Sequence, residues 1–255
     1  LNNLRILKQF NGCCFADLDL KQQGVIEDFQ LLFYIIQPPT PERVKYDIFD
    51  RVNRGGTPLN KQEMRNALYR GRCTRMLDKL CCSPEFLIAT GRSINKERMK
   101  DQYVVLRAMA FLMLHRGEFK DIPALQYRGD IDDFLARFMV YVNDNAPEKL
   151  IVDYENLFIR CMQISYDLLG ENGFRFSGNG IRRPINMPLF EALSYLFSFV
   201  PEKIDYTWAS RLILDIESVK EEFDGSRYFS GNIDSTTSVS FRFDRMDKII
   251  NRIQL

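Results

Sequence analysis

The densest group of residues that could do chemistry lies at the end of one predicted helix and in the turn after it. Arginine side chains could supply positive charge there, and a Gly-Gly pair would let an anion approach the backbone closely. Free amides at the start of the next predicted helix would face the same turn. The segment therefore predicts either a phosphate site for a nucleotide or another anion, or a capped helical hairpin that binds nothing. Its residues are Arg51, Asn53, Arg54, Gly55, Gly56 and Thr57.

The next helix begins with a clear capping signal. Asn60 is the predicted N-cap, and Glu63 occupies the capping-box position three residues later. A helical wheel places Met64, Ala67 and Leu68 toward the core. The polar residues collect on another side, which is either a functional surface or a solvated face. They are Gln62, Glu63, Asn66 and Arg70, flanked by Arg65 and Tyr69.

A second candidate is the loop from Gly170 to Arg183, where aromatic and cationic side chains alternate. Such a mixture is typical of surfaces that contact nucleic acid through stacking and phosphate pairing. An ordinary connecting loop is the other interpretation. The cationic candidates for nucleic-acid binding are Arg175, Arg182 and Arg183.

Other chemistries find little support in the sequence. His115 is the only histidine, so a catalytic triad or a histidine-metal nuclease would depend on one residue at the end of an apolar helix. Three aspartates near residue 131 are predicted to complement a helix dipole and to need no metal. They are Asp130, Asp132 and Asp133. We predict no metal site.

Composition indicates a globular protein, with 45% hydrophobic and 27% charged residues in a chain of 255. The six cysteines form no Cys-x-x-Cys spacing, which indicates reduced thiols and a cytoplasmic location. No apolar run is long enough to cross a bilayer, so we expect no membrane contact. Between Glu42 and Arg107, 15 Lys or Arg outnumber 8 Asp or Glu, a net charge of +7. That basic part is either a surface that faces phosphate or the solvated side of helices.

The pattern predicts a mainly α fold, a multi-helix bundle with one or two short strands near the N-terminus. The best strand candidate is Phe29 to Ile36. The last predicted helix has a core-facing apolar stripe, and its arginines are placed on the surface. The stripe is Val239, Phe243, Met246, Ile250 and Ile253, and the arginines are Arg242, Arg245 and Arg252. Helices are predicted over Leu4–Phe10, within Asp17–Asp28, from Pro41 to Arg54, from Lys61 to Arg70, and over Arg75–Cys82, Ile94–His115, Ile131–Val142, Pro147–Leu169, Met187–Phe199, Tyr206–Phe223 and Val239–Ile253.

The run from Ile48 to Leu68 resembles the signature iFdRiNxGGtxLnxqEiRna of the GmrS-like domain. That domain occurs in GmrSD-type modification-dependent restriction enzymes and related phage-defence proteins of bacteria, and has a ParB/sulfiredoxin-like fold. The resemblance implies a nucleotide-dependent DNA nuclease, or a regulator of one. It implies that Arg51, Asn53, Glu63 and Arg65 contribute to a polar site. The signature positions carried over are Arg51, Asn53, Gly55, Gly56, Leu59, Gln62, Glu63 and Arg65, and together with the turn named above they form the expected nucleotide or phosphate site.

The family's Asp-Gly-Gln-Gln-Arg segment and its histidine-metal nuclease domain are absent from this sequence. Leu1 is not a methionine, so we expect a fragment that begins after the catalytic segment and is inactive alone. We expect residues 1–71 to be the remnant of the ParB-like region and residues 72–255 to be a helical domain. The expected partners are DNA, the missing N-terminal segment and a second copy of the chain. No cofactor is expected in this chain, whereas NTP and Mg²⁺ are implied for the intact protein. The alternative is a helical interaction or scaffold module without catalysis.

Overall fold

A computed structural model describes residues 4, 6–33, 35, 37, 44, 47, 48, 51, 58–178, 182–201, 203 and 205–253. Within these residues the chain forms helices and no strand, which confirms the prediction of a mainly α fold. Contacts divide it into two compact units, Leu1–Asp47 and Ile48–Leu255. The predicted division after residue 71 lies later, so the helix that follows the Gly-Gly turn belongs to the larger unit. No helix among the described residues is long and apolar enough to cross a membrane.

The smaller unit contains short helices. Two 3-10 helices, Lys8–Phe10 and Phe15–Asp17, precede α1, which spans Leu20–Glu27. Asp19 caps α1 by accepting from the backbone N–H of Gln22 at 2.8 Å. Residues 29–33 have no regular secondary structure, and residues 34 and 36 lie outside the described part. The strand predicted there is not confirmed.

The larger unit contains nine further described α-helices. They are α2 Lys61–Leu68, α3 Arg72–Cys81, α4 Pro84–Ala89, α5 Lys100–His115, α6 Ile131–Asp144, α7 Glu148–Leu169, α8 Met187–Phe197, α9 Tyr206–Phe223 and α10 Thr236–Ile253. Short 3-10 helices precede α5 and α6 and follow α7, at Glu97–Met99, Pro123–Leu125 and Gly170–Asn172.

Two helices form the centre of this unit. Every residue of α5 from Val104 to Met113 is buried, and α8 is buried along nearly its whole length. A helix that is apolar around its full circumference has to be enclosed by others. α5 packs against α3 and α8, and α10 also packs against α8. Helix α5 is therefore central to the core of this unit.

Helix α5 begins later than predicted, and one helix was not predicted at all. The long helix begins at Lys100 and not at Ile94, because Arg98 and Met99 adopt left-handed backbone angles of φ 55° and 58°. Helix α4 was missed, although Ser83 caps it and Pro84 occupies its first turn, as helix starts favour.

The surface position predicted for Arg242 is wrong. Its side chain is fully buried, because it pairs with the buried carboxylate of Glu191 on α8. The stripe prediction for α10 itself is correct at the apolar positions, since Val239, Phe243 and Met246 are all in the core. The arginine lies beside that stripe and is drawn inward by its partner.

Candidate functional site

The structure describes only one residue of the predicted phosphate-binding turn. Arg51 is exposed. Asn53, Arg54, Gly55, Gly56 and Thr57 lie outside the described residues, so their role stays a prediction.

The start of α2 has the geometry that the sequence predicted. Asn60 Oδ1 accepts from the backbone N–H groups of Gln62 and Glu63 at 2.8 and 2.9 Å. Glu63 Oε2 in return accepts from the Asn60 N–H at 2.6 Å and pairs with Arg98 Nη2 at 3.0 Å. The Asn60 N–H and the Arg98 guanidinium together lower the pKa of Glu63. The Glu63 carboxylate thus already has two partners within the protein.

Replacing Glu63 with alanine is expected to lower the free energy of unfolding by about 1 kcal/mol, because half of the capping box is lost. Loss of the partly exposed Arg98 pair adds little. Urea denaturation followed by circular dichroism measures the change. Glu85→Ala changes a partly exposed first-turn glutamate of α4; it is the matched control and should change stability by less than half as much.

The inward face of α2 mixes apolar and polar side chains, so the helical-wheel prediction is correct for Met64, which is buried, and wrong for Ala67. Ala67 is exposed, whereas Gln62 and Arg65 are buried. Arg65 Nε donates to Gln62 Oε1 at 3.0 Å, and Arg65 Nη1 donates to Asp132 Oδ1 on α6 at 2.8 Å. These bonds satisfy groups that would be costly to bury alone. The third nitrogen, Arg65 Nη2, is buried without a hydrogen-bond partner.

A stacked column links Arg65 to the centre of the domain. Two guanidinium groups lie over the ring of Tyr103. Arg65 Cζ is 5.3 Å and Arg107 Cζ is 5.6 Å from the ring centroid. Arg107 Nη1 also donates to the Tyr103 hydroxyl at 3.1 Å. Two of the buried arginines of the larger unit are therefore held by one aromatic side chain of α5.

Beyond Tyr103 lies a buried ion cluster. Glu191 accepts from Arg107 through one carboxylate oxygen and from Arg242 Nη2 at 3.2 Å through the other. Arg107 Nη2 also pairs with Asp234 Oδ1 at 2.7 Å. Burial acts to lower the pKa of Arg107, but the nearby Glu191 and Asp234 carboxylates outweigh that effect and raise it. Because Glu191 and both arginines are inaccessible to solvent, this cluster joins α5, α8 and α10 and offers no surface to a ligand.

His115 is partly buried, and its Nε2 atom is covered. Its ring stacks on Phe243 with 3.5 Å between centroids, and burial followed by the nearby Arg242 charge lowers its pKa to about 3. The imidazole is therefore neutral at physiological pH and packs on an aromatic ring at the end of α5.

The three aspartates at the start of α6 all have structural partners. Asp130 caps the helix by accepting from the N–H groups of Asp132 and Asp133. Asp132 pairs with Lys61 and Arg65, and Asp133 pairs with Arg137. Among the described residues, no three His, Cys, Asp or Glu side chains are close enough together to hold a metal ion.

The three arginines predicted to bind nucleic acid meet at one cavity of about 640 Å³, which we call the basic cavity. The 3-10 helix Gly170–Asn172 and α9 form other parts of its wall. Such a volume falls within the range of small-molecule sites. The charged residues that line it are Glu171, Arg175, Arg182, Arg183, Glu217 and Lys220.

Arg182 and Arg183 are the accessible cations of the basic cavity. Arg182 Nη2 pairs with Glu171 Oε2 at 2.9 Å, and Arg183 Nη1 pairs with Asp224 Oδ2 at 2.6 Å. Both arginine side chains keep about two fifths of their surface exposed, at 44% and 40%. Ion pairs with that exposure are weak and can exchange for another anion.

Arg175 supports the basic cavity from within. Its guanidinium donates to Arg183 O, Thr90 O and Ser93 Oγ, and no carboxylate pairs with it among the described residues. Burial, and then the neighbouring Arg182 charge, lowers its pKa. Arg175 therefore fixes the loop that carries Arg182 and Arg183, and contributes positive charge.

Sequence reasoning missed two side chains that belong to the basic cavity, Lys220 and Glu217. They form an ion pair on α9, with 2.9 Å between Lys220 Nζ and Glu217 Oε1, and the Lys220 side chain is largely buried. The motif search could not find them because they lie more than 30 residues from the aromatic and cationic loop. A buried lysine on an amphipathic helix gives no local signal.

Comparison with family models, with curated proteins and with solved structures finds no match for this chain.

Proposed function

We propose that the chain is the helical portion of a GmrS-like, nucleotide-dependent DNA restriction or defence protein and supplies part of a site for phosphate, on a nucleotide or on DNA. The observation that carries the proposal is the basic cavity, where Arg175, Arg182, Arg183 and Lys220 converge. The signature-like run from Ile48 to Leu68 supports the family part of the proposal.

The charges of the basic cavity favour an anionic ligand. Four cations line it against two carboxylates, so positive charge remains in excess. A phosphate can replace the carboxylates of Glu171 and Asp224 on Arg182 and Arg183 by accepting two parallel N–H bonds from each guanidinium. The partners that would be released are both partly exposed and return to water at little cost.

The chemistry of the cavity is binding and not bond cleavage. Among the described residues that line it there is no histidine, and its two carboxylates, Glu171 and Glu217, are paired with Arg182 and Lys220. NTP hydrolysis and Mg²⁺ binding in the intact protein would then depend on other residues. In this proposal, the cavity orients a phosphate for chemistry that the rest of the protein performs.

Duplex DNA binding tests the proposal in this chain. Arg182→Ala/Arg183→Ala is expected to weaken binding of a fluorescent duplex by about tenfold at low salt and to reduce the salt slope by about two. Fluorescence anisotropy across a salt series measures both quantities. Calorimetry with ATP, GTP, CTP and UTP then tests whether the phosphate of a free nucleotide uses the same arginines.

The matched control is Arg128→Ala/Arg252→Ala, which removes the same charge from two exposed positions that do not line the cavity. Equal losses in the two double variants would mean that net charge and not the cavity binds phosphate. Unchanged affinity for DNA and for every nucleotide in Arg182→Ala/Arg183→Ala would refute the proposal.

A second candidate function is a helical scaffold or interaction module without a ligand. It is favoured by α2, where Gln62, Glu63 and Arg65 already bond to other residues of the domain. On this interpretation Glu63→Ala lowers stability and leaves DNA and nucleotide binding unchanged. Absence of binding at low salt would select this function.

A further inference from the structure

A second cavity, of about 370 Å³, is lined in part by Thr90, whose backbone carbonyl accepts from Arg175. We call it the Asp101 cavity. Its volume is near the lower end of the range for small-molecule sites. It is bounded by α3, α4, the start of α5 and the segment between α4 and α5. The residues that line it are Cys81, Phe86, Leu87, Thr90, Arg92, Ile94, Asn95, Lys96 and Asp101.

The Asp101 carboxylate is the unusual group in this cavity. The residue is 93% buried, with 7% of its surface exposed, yet no cation pairs with it among the described residues. Oδ1 accepts from the backbone N–H of Gln102 at 2.8 Å, and Oδ2 has no partner there. Position in the first turn of α5 favours the negative charge, but a buried carboxylate is normally paired with a cation.

The rest of the cavity separates apolar from cationic groups. Phe86, Leu87 and Ile94 supply an apolar wall. Arg92 and Lys96 are exposed and make no ion pair within the described part of the chain. A ligand that fits all three features carries one cation for Asp101, an apolar group for the wall and one anion for the two exposed cations.

The backbone around the cavity is strained in a way that fits a binding site. Within the described residues, the only non-glycine positions with positive φ are Arg92, Arg98 and Met99, at 50°, 55° and 58°. All three lie in the segment that closes this cavity or directly follows it. Such strain concentrates at ligand sites, because surrounding contacts have to maintain it.

We propose that the Asp101 cavity binds a free α-amino acid with an apolar side chain. The ammonium group donates to Asp101 Oδ2, the side chain packs on Phe86 and Ile94, and the carboxylate pairs with Arg92 or Lys96. A polyamine fits poorly, because its second charge would meet those two cations. Cys81 takes no covalent part, since burial raises the pKa of its thiol and keeps it protonated. The site goes beyond the proposed phosphate function and does not depend on it.

Isothermal titration calorimetry with L-phenylalanine and L-leucine tests the proposal. We expect saturable binding that is at least about tenfold weaker for phenethylamine, which lacks the carboxylate, and for 3-phenylpropionate, which lacks the amine. Glycine, which lacks the apolar group, should also bind more weakly. Asp101→Asn should weaken L-phenylalanine binding by at least about tenfold, because the ammonium loses its counter-charge.

Two further variants keep the test independent of folding. Asp153→Asn makes the same chemical change at an exposed position on α7 and should leave binding unchanged. Ile94→Trp fills the cavity from its apolar wall, retains Asp101 and should abolish binding. Thermal melts of each variant establish that it is folded before titration.

Absence of saturable heat with both amino acids at about 10 mM would overturn the proposal. Equal binding of 3-phenylpropionate and L-phenylalanine would also overturn it, since the ammonium would then have no role. Binding of GMP that Asp101→Asn abolishes, without amino-acid binding, would reassign the cavity to a nucleotide base. Loss of phosphate binding in Arg182→Ala/Arg183→Ala with amino-acid binding intact would support separate sites.

Discussion

Replacement of Glu191 with alanine is expected to lower the free energy of unfolding by about 3–5 kcal/mol. The change leaves Arg242 in the core with the backbone carbonyls of Tyr228 and Ile233 as its hydrogen-bond partners among the described residues. Arg107 keeps Asp234 but loses its other carboxylate. A buried charge without a counter-charge costs far more than the intact cluster contributes, and a loss of this size is a large part of a typical domain's stability.

Equilibrium urea denaturation of the full chain measures this effect. Glu222→Ala is the control, since Glu222 also pairs with an arginine of α10, Arg245, but keeps 42% of its side chain exposed. That change should cost no more than about 0.5–1 kcal/mol. A loss below about 1 kcal/mol for Glu191→Ala would contradict the charge argument.

A triple variant separates charge from packing in the same cluster. Arg107→Met/Glu191→Leu/Arg242→Met removes all three buried charges and keeps similar side-chain volumes. Since an intact buried cluster contributes little net stability, the triple variant should recover most of the stability that Glu191→Ala loses. A triple variant less stable than Glu191→Ala would mean that the ion cluster itself stabilises the fold.

Short-range patterns predicted much of the larger unit. Asn60 and Glu63 define the start of α2 through groups three residues apart, and the structure has that capping box. The apolar stripe of α10 likewise depends only on spacing within one helix. In both places the physical cause lies within a few residues, so the sequence was sufficient.

The errors occur where the cause lies far away in the chain. Arg65 and Arg242 are buried because they pair with Asp132 and Glu191, which are 67 and 51 residues distant in the chain. No local rule places an arginine in the core, so helical wheels assigned such residues to the surface. The late start of α5 has a similar origin, because Asn60 Nδ2 donates to Arg98 O at 2.7 Å and helps to hold that residue outside the helix.

Distant contacts also decide the geometry of the basic cavity. The loop composition identified Arg175, Arg182 and Arg183, but could not reveal that Arg175 is a buried support while the other two are accessible. That distinction depends on carbonyl and hydroxyl groups of Thr90 and Ser93, more than 80 residues earlier. Gly91, between them, has φ +58°, and a Cβ there would lie 2.1 Å from Arg182 Nη2. A turn from a distant segment thus decides where the arginines point.

The second large effect concerns Asp132, the only carboxylate that pairs with Arg65 within the described residues. Asp132→Asn is expected to lower the free energy of unfolding by about 2–3 kcal/mol at pH 7, because Arg65 is buried and would lose its counter-charge. The loss should be smaller than for Glu191, since about a quarter of the Asp132 side chain is exposed and Lys61 pairs with it from solvent. Asp133→Asn is the control on the same helix, with an exposed carboxylate that pairs with Arg137.

The pH dependence of that difference identifies its electrostatic origin. Burial acts to raise the pKa of Asp132, but hydrogen bonds from Lys61 and Arg65 outweigh it, so the folded pKa lies below the ordinary value. The contribution is therefore complete above the unfolded pKa of about 3.9 and disappears as pH falls through the lower folded pKa. Urea denaturation of the original chain and Asp132→Asn between neutral pH and about pH 3 should show two stabilities that converge only at the acid end. A difference that stays constant over this range would mean that Asp132 acts through packing, and the pairing with Arg65 would not be the source of its effect.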